Sequence, residues 1–568
     1  MKITYHNVIK PSEKINPGDL IELLLKNRQI KDKEEFLNPT HPSKISLTDF
    51  GFKKELKKTL KLLKKIKKDN QMVVVYTDYD ADGITGGAIL WETLHHLGFK
   101  AMPYVPHRKK EGYGFSKQGL DNVKKKYNPA LIISVDHGIT ASEKVSYAKK
   151  LGIPTIITDH HLKPVKLPDD AEAIIYIPEL SGSGVAYFFA KELFSHFKHQ
   201  TSNFQLLTSN FKSDYLSLAS IGSIADLVPL IGPTRSIVKY GLESFTSVKR
   251  VGIKQILQQA GILGRKITPY DVSFIIAPRI NALGRLEHAI DALRLLCTTK
   301  EDRAQKLANR VGDKNRERQD LLIKAVKEAK RLVGSRYSVI GKMPKILILE
   351  NKNWHEGIIG LIAAKICEEF YRPTIVLTES DGFLKGSARS IPSFHITNFL
   401  RDLKKYLIDV GGHKAAAGFT MEKNNYNLFS TAVVKLVTPL LKEEDLERTI
   451  EADVKISLSK LNIPHVKELE KLQPFGISNP QPTFYSNVEI LDSTTFGKSD
   501  NHLKLIVRDV PTEKPITDYR LPIEFVSFGN ADKYSSLTKG QKINVVYSIE
   551  IDRWGGSEKL RGKILNIV

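Results

Sequence analysis

The sequence predicts an α/β protein of several domains, and three observations support this fold class. Apolar, β-branched segments alternate with helical patterns between residues 72 and 176. A second unit of this kind begins at residue 345, and short β-rich segments separated by turn residues follow residue 451. Strands that are apolar throughout are typical of a mostly parallel sheet covered by helices on both faces. A chain of 568 residues is long enough for three or four domains.

Composition and periodicity divide the chain into five segments. The first is polar and contains several prolines, and the third is a charged helix with one apolar face. We expect a lead-in over 1–50, a large α/β domain over 51–300, a connector helix over 301–335, a smaller α/β domain over 336–445 and a small β-barrel over 446–568.

The charge of the chain indicates a polyanionic partner. Lysine and arginine number 86 and aspartate and glutamate 63, which gives a net charge of +23. Such a chain attracts nucleic acid first and anionic membranes second, although a lysine-rich genome is an alternative cause. Cys297 and Cys367 are the only cysteines, which excludes a disulfide framework. With no apolar leader and no long apolar span, we expect a soluble cytoplasmic protein without membrane contact.

Three acidic residues follow the first apolar strand at alternate positions. Asp78, Asp80 and Asp82 stand in the segment TDYDADG, and like charges at this spacing are costly unless a cation neutralises them. A calcium loop of the EF-hand type would need glutamate where the chain has Ile89, so this interpretation is excluded. A capping turn remains the alternative.

Ligand-type residues also follow two later strands of this alternating region. Asp136 stands in DHG and His160 in DHH, and parallel strands bring their carboxyl ends to one crevice. Asp226 is the lone acid of a small, apolar helical stretch, and a buried carboxylate needs a partner. Carboxylates with imidazole and no thiolate suit Mn²⁺ or Mg²⁺, and an aspartate bridging two ions is typical of phosphoryl-transfer sites. Helix capping by each residue separately is the alternative.

Four further motifs carry groups that suit phosphate. Arginine offers forked donors, helix N-termini bind anions, and glycines permit close approach of the backbone. The segment GGHKAAAG lacks the Gly-Lys-Ser/Thr of a Walker loop. Surface ion pairs are the alternative for the first motif. The candidate residues are Arg279, Asn281 and Arg285 in PRINALGRL, His355 in WHEGIIG, Ser387 and Arg389 in GSARS, and His413 in GGHKAAAG.

The motifs DADG, DHG, DHH and AD, in this order, resemble the DHH phosphoesterase superfamily, and their spacing resembles its RecJ branch of single-strand-specific 5′→3′ DNA exonucleases. The resemblance covers about residues 45–568. It implies a DHH catalytic domain, a DHH-associated substrate-binding domain at 336–445 and an OB-type barrel at 446–568. It also implies two Mn²⁺ or Mg²⁺ ions, with Asp136 as the bridge, held by Asp80, Asp82, Asp136, His160 and Asp226.

The resemblance also assigns roles around the metal ligands. Asp78 supports them, and His161 orients phosphate or water, although in an extended strand its side chain would point away from that of His160. It assigns substrate contact to Arg279, Asn281, Arg285, His355, Ser387, Arg389 and His413. On the barrel, His502, Phe528 and Trp554 offer rings for stacking bases, or else belong to its core.

The expected function is therefore hydrolysis of single-stranded DNA from the 5′ end to 5′-mononucleotides in recombination and repair. The resemblance implies single-strand-binding protein and a DNA helicase as partners, and we expect a monomer. Two alternatives stay open: a phosphodiesterase for short oligonucleotides or cyclic dinucleotides, and a non-catalytic single-strand-binding replication subunit. The full ligand set and the charge of +23 favour the nuclease.

Overall fold

The computed structural model describes residues 2–10, 12–337, 343–510, 522–553 and 556–568. None of the helices in these ranges combines the length and apolar character needed to cross a membrane.

The N-terminal segment belongs to the barrel at the other end of the chain. It forms β1 (Lys2–Val8), α1 (Pro17–Asn27) and α2 (Lys33–Leu37). Strand β1 pairs in parallel with residues 449–455, and α1 buries its leucines in the barrel core. What the sequence presents as a lead-in thus contributes a strand and a helix to a distant domain.

The large domain contains a five-stranded sheet in which every neighbouring pair is parallel, as the apolar strands predict. Val73 and Val75 pack into one core and Val74 and Tyr76 into another, so helices cover both faces. The sheet order is β3-β2-β4-β5-β6, with strands β2 (Val73–Thr77), β3 (Ala101–Tyr104), β4 (Leu131–Val135), β5 (Thr155–Asp159) and β6 (Ala173–Tyr176).

Thirteen α-helices of this domain fall within the described residues. They are α3 (Lys53–Lys68), α4 (Ala81–His96), α5 (Arg108–Glu111), α6 (Lys117–Tyr127), α7 (Ser142–Lys150), α8 (Gly182–Phe197), α9 (Phe204–Lys212), α10 (Asp214–Ala225), α11 (Gly232–Ser244), α12 (Val251–Gln259), α13 (Pro269–Asp271), α14 (Ala277–Leu286) and α15 (Ile290–Cys297).

A single long helix connects the large domain to a smaller α/β domain. Helix α16 (Glu301–Tyr337) lies against α12 and α14, and further along it buries Ala325, Ala329 and Val333 against the smaller domain. The sheet order there is β10-β11-β9-β8-β7, and among the described strands only β7 and β8 pair in parallel. The elements are β7 (Leu347–Glu350), α17 (Ile359–Phe370), β8 (Thr374–Ser380), β9 (Phe383–Arg389), α18 (Ile396–Asp402), β10 (Asp409–His413), β11 (Ala416–Met421) and α19 (Tyr426–Leu440).

The C-terminal domain is a closed five-stranded barrel, which confirms the predicted OB-type fold. Strands run in the order β13-β14-β15-β17-β16, and β16 pairs back onto β13. Strand β12 extends the sheet towards β1. Trp554 lies outside the described residues. The elements are β12 (Thr449–Lys455), α20 (Ile463–Glu470), β13 (Phe484–Phe496), β14 (His502–Asp509), β15 (Ile523–Ser527), β16 (Lys542–Asp552) and β17 (Lys559–Ile567).

Candidate active site

Three neighbouring strands of the parallel sheet end in acidic or imidazole side chains. Asp78 follows β2, Asp136 follows β4, and His160 follows β5. The sheet ladder continues into these residues, because the N–H of Asp78 donates to Val135 O (3.2 Å) and the N–H of Asp136 to Thr158 O (3.0 Å). The carboxyl ends of adjacent parallel strands meet at one edge, so the side chains converge there.

Backbone N–H groups hold the carboxylates of the TDYDADG segment in place. Asp80 caps α4, and its Oδ1 accepts from the N–H groups of Asp82 and Gly83 at 3.0 Å each. Asp82 accepts from Gly182 N (2.6 Å) and Ser183 N (2.9 Å) at the start of α8. The two helix N-termini therefore orient two carboxylates before any ligand binds.

The potential metal donors among the described residues form three overlapping groups, in each of which the ligand atoms lie within 4.8 Å of one another. One contains Asp78, Asp80 and Asp136, a second contains Asp82, His160 and Asp226, and a third contains Asp136, Asp159, His160 and His161. His160 Nε2 lies 3.1 Å from Asp136 Oδ1 and 3.4 Å from Asp226 Oδ2, so Asp136 lies between the first two groups. All five residues predicted as metal ligands, and Asp78 beside them, are thus brought together.

The donor set fits a divalent cation. Burial, followed by the neighbouring carboxylates, raises the pKa of Asp78, Asp80 and Asp136, and raises the pKa of Asp226 to about 8. Asp78 Oδ1 is buried and has no hydrogen-bond partner among the described residues. A divalent cation would satisfy that oxygen and offset the repulsion, and carboxylate with imidazole suits Mn²⁺ or Mg²⁺.

His161 faces the same site as His160, contrary to the expectation that it points away. Strand β5 ends at Asp159, so strand alternation no longer applies, and the two rings lie 4.5 Å apart. His161 Nδ1 lies 2.8 Å from Asp159 Oδ1, and its Nε2 lies 3.1 Å from the Tyr113 hydroxyl. Burial opposes protonation, but the bond to Asp159 and the acidic surroundings raise the pKa of His161 to about 9.

The smaller domain faces the metal-ligand edge across a cationic cleft. The ring of His413, at the end of β10, lies 6.1 Å from that of His161. Arg389 Nη1 donates to Ser387 Oγ at 3.3 Å, and Arg285 reaches across to Gly357 O at 3.4 Å. Burial and three surrounding guanidinium groups, those of Arg108, Arg318 and Arg389, lower the pKa of Arg285 to about 10.

Three predicted substrate contacts are engaged with the protein itself. Asn281 Oδ1 accepts from Ala81 N (2.8 Å), so it braces the turn between the acidic residues. Arg279 Nη1 donates to Ile275 O (2.8 Å) on the preceding helical turn. His355 Nδ1 accepts from Gly357 N (3.0 Å) in a turn before α17, and its side chain is otherwise exposed.

Asp159, Tyr113 and Arg108 join the site without having been assigned a role from the sequence. Asp159 belongs to the DHH triplet, and its bonds to His161 and to Ile139 N (2.8 Å) show that it orients this histidine. Tyr113 stands between two glycines in a charged segment, a signal of a constrained loop aromatic. Its hydroxyl donates to Asp136 O at 3.2 Å, while Arg108 lies 5.3 Å over the ring of Tyr79.

Acidic side chains on one wall and guanidinium groups on the other can hold a phosphate ester against divalent cations, which defines a metal-dependent phosphoesterase.

Sequence models of three domains match this chain: the DHH family N-terminal domain over 72–222, the DHHA1 domain over 343–438 and the RecJ OB domain over 452–566. The single-stranded-DNA-specific exonuclease RecJ of Bacillus subtilis is 30% identical, with 96% of this chain and 68% of that protein covered. The Escherichia coli RecJ is 30% identical, with 90% of each covered. This chain belongs to the RecJ family.

Two solved structures are similar as well. RecJ from Thermus thermophilus in complex with Mn²⁺ has a TM-score of 0.79 at 24% identity, covering 100% of this chain and 80% of that one, and it supports the fold. A RecJ exonuclease bound to manganese has a TM-score of 0.57 at 30% identity, covering 67% of this chain and 94% of that one.

Proposed function

We propose that this protein is an exonuclease that hydrolyses single-stranded DNA from the 5′ end to 5′-mononucleotides, in recombination and repair. The observation that carries the proposal is the pair of donor groups that meet at Asp136, on the sheet edge that faces the cationic cleft. The names of the RecJ relatives, single-stranded-DNA-specific exonucleases, support the choice of substrate.

The proposed site holds two Mn²⁺ or Mg²⁺ ions. Asp80 and Asp136, with Asp78 in support, would hold one, and Asp82, His160 and Asp226 the other, with Asp136 as the shared ligand. When bound, such ions lower the pKa of water and neutralise charge on the phosphate. The similar RecJ exonuclease structure bound to manganese, at 30% identity, supports a divalent metal in this chain.

The protein's own side chains position the substrate. The hydrogen bond to Asp159 aims His161 at the region between the acidic edge and His413. Arg285, Ser387 and Arg389 would hold the terminal phosphate by charge-assisted hydrogen bonds. Asn281 acts indirectly, because it fixes the Asp80–Asp82 turn.

The barrel would hold the rest of the strand. Its exposed face carries a cluster of three rings, Phe496, His502 and Phe528, with centroids 5.1 to 5.9 Å apart. Phe528 is 53% exposed, which suits stacking of bases. We further propose a cytoplasmic monomer that works with single-strand-binding protein and a helicase. The barrel and the charge of +23 disfavour the alternative of a short-oligonucleotide phosphodiesterase, and the assembled donor set disfavours a binding-only subunit.

The experiment uses purified protein with Mn²⁺ on single strands labelled at either end, beside an EDTA control. We expect a labelled mononucleotide to leave 5′-labelled strands at once, while 3′-labelled strands shorten progressively. Asp136→Ala should abolish cleavage and retain strand binding, whereas Asp302→Ala, an exposed acid at the start of α16, should leave both unchanged. Binding without metal-dependent cleavage would favour the binding subunit. Cleavage of dinucleotides alone would favour the small-substrate enzyme.

A further inference from the structure

Arg235 is buried where the large domain meets the barrel. It stands in the first turn of α11, is 1% exposed, and donates to four backbone carbonyls from two distant segments. Its Nε donates to Phe36 O (2.6 Å), its Nη1 to Pro474 O (3.3 Å), and its Nη2 to Leu472 O (3.1 Å) and Gln473 O (2.8 Å). One side chain thus joins the large domain, the N-terminal segment and the barrel loop, residues 471–483 between α20 and β13.

Carbonyl dipoles and an aromatic ring surround this guanidinium group in place of a carboxylate. Among the described residues Arg235 forms no ion pair, and its Cζ lies 3.9 Å from the centroid of the Phe36 ring. Burial lowers the pKa of Arg235 to about 10, so the group remains charged at neutral pH. A buried charge is tolerated only where its hydrogen bonds are fully met, and each of the four carbonyls loses one hydrogen bond if Arg235 is removed.

The same barrel loop also contacts the segment that carries a predicted metal ligand. Leu230 N donates to Ile477 O (2.8 Å), and Leu230 lies on the stretch between Asp226 and α11. The approach is close, because a Cβ on Gly476 would lie 2.6 Å from Leu230 Cδ1. Asn479 braces the loop by donating to Leu472 O (2.7 Å) and Pro474 O (2.9 Å).

We propose that Arg235 is a positioning residue that locks the barrel against the large domain, so that a strand bound on the barrel enters the active site in a fixed register. The proposal rests on the proposed exonuclease function. A second binding module raises affinity only where its geometry allows both sites to engage one ligand. Arg235 would therefore matter for strands long enough to reach the barrel. Strands held by the cleft alone would be less sensitive, because hydrogen bonds within the large domain hold the predicted metal ligands Asp80 and Asp82.

The test compares Arg235→Met and Arg235→Lys with the matched control Lys239→Met. Lys239 lies on the same helix, one turn later, and donates to Leu37 O (2.8 Å) in the N-terminal segment, and among the described residues it has no hydrogen bond to the barrel loop. Each protein is assayed with Mn²⁺ on a 5′-phosphorylated trinucleotide and on a strand of about 40 nucleotides, which exceeds the span of one barrel. Arg235→Lys keeps the charge and serves as the conservative variant should the methionine variant not fold.

For Arg235→Met we expect kcat/KM on the long strand to fall by at least ~10-fold, mainly through KM, and on the trinucleotide to stay within about threefold. Arg235→Lys should lose less activity on the long strand than Arg235→Met. Lys239→Met should keep the wild-type ratio of kcat/KM on the long strand to kcat/KM on the trinucleotide. An equal loss on both substrates, or an unchanged ratio, would overturn the proposal. Energy transfer between fluorophores on the large domain and the barrel, measured without DNA, should broaden in Arg235→Met. This second readout tests the lock even if the wild-type protein proves to have no nuclease activity.

Discussion

A single methyl group at the start of α8 should disable the site, since Gly182 lies directly against Asp136. A Cβ at this position would lie 2.4 Å from Asp136 Cβ and 2.5 Å from its Oδ1. The optimal van der Waals separation of two non-bonded carbon atoms is about 3.5–4.0 Å, so the aspartate or the end of the helix must move by about 1 Å. Asp136 is 2% exposed and has little room to do so elsewhere.

A shift of about 1 Å in a catalytic group costs ~100-fold in rate, and this is the loss we expect in kcat/KM for Gly182→Ala on single-stranded DNA. Weaker Mn²⁺ binding should accompany it, because Gly182 N also holds Asp82 (2.6 Å). Nucleotide release at several Mn²⁺ concentrations measures both effects, and thermal unfolding checks that the variant is folded.

The control is Gly184→Ala, on the same helical turn. A Cβ there would lie 3.3 Å from its nearest neighbours, Ile237 Cδ1 and Leu180 Cβ, and alanine favours a helix over glycine by about 0.5–1 kcal/mol. Its activity should stay near that of the wild type. If Gly182→Ala is within about threefold of this control, the position of Asp136 does not limit the reaction and the reasoning is wrong.

Three further predictions concern metal, core and barrel. Burial raises the pKa of Asp226 from its usual 3.8 to about 8 in the metal-free fold. The contribution of this group to stability is therefore complete below pH 3.8, the pKa in the unfolded chain, and is lost as the pH rises through about 8. Because Mn²⁺ competes with these protons, its increment in Tm should grow between pH 6 and 8.5; a shrinking increment would contradict this. Glu92→Gln leaves Arg250, paired at 2.8 Å, as a buried unpaired charge and should cost about 3–5 kcal/mol in urea unfolding, whereas an unchanged midpoint would show that the pair is dispensable. Phe528→Ala should weaken binding of a long strand by ~10-fold in fluorescence anisotropy and leave trinucleotide cleavage intact; equal affinity would remove stacking from the model of binding.

Much of the candidate metal site could be predicted because its residues come directly after strands that can be recognised from the local sequence pattern. Asp78, Asp136 and His160 each come directly or almost directly after a run of buried residues, and parallel strands place such positions side by side. The like charges of the TDYDADG segment are also costly without a cation wherever the segment lies. Neither inference depends on knowing the rest of the fold.

The orientation of individual side chains depended on where each element ends. The side chains of His160 and His161 would point to opposite faces if β5 continued through them. Because β5 ends at Asp159, both face the same site. Asn281 was predicted to contact substrate, yet it bonds to the backbone of Ala81, two hundred positions away in the sequence. Local pattern carries no information about such partners.

The class of the domains, and a set of donors suited to a divalent metal, could be predicted from residue order alone, since periodicity and ligand chemistry are properties of short segments. The pairing of β1 with β12, and the enclosure of Arg235 by carbonyls from both ends of the chain, were decided only by tertiary structure. A polar lead-in and a lone arginine have no local signature of burial. They become structural elements because distant strands and loops leave unpaired hydrogen-bonding groups that these residues satisfy.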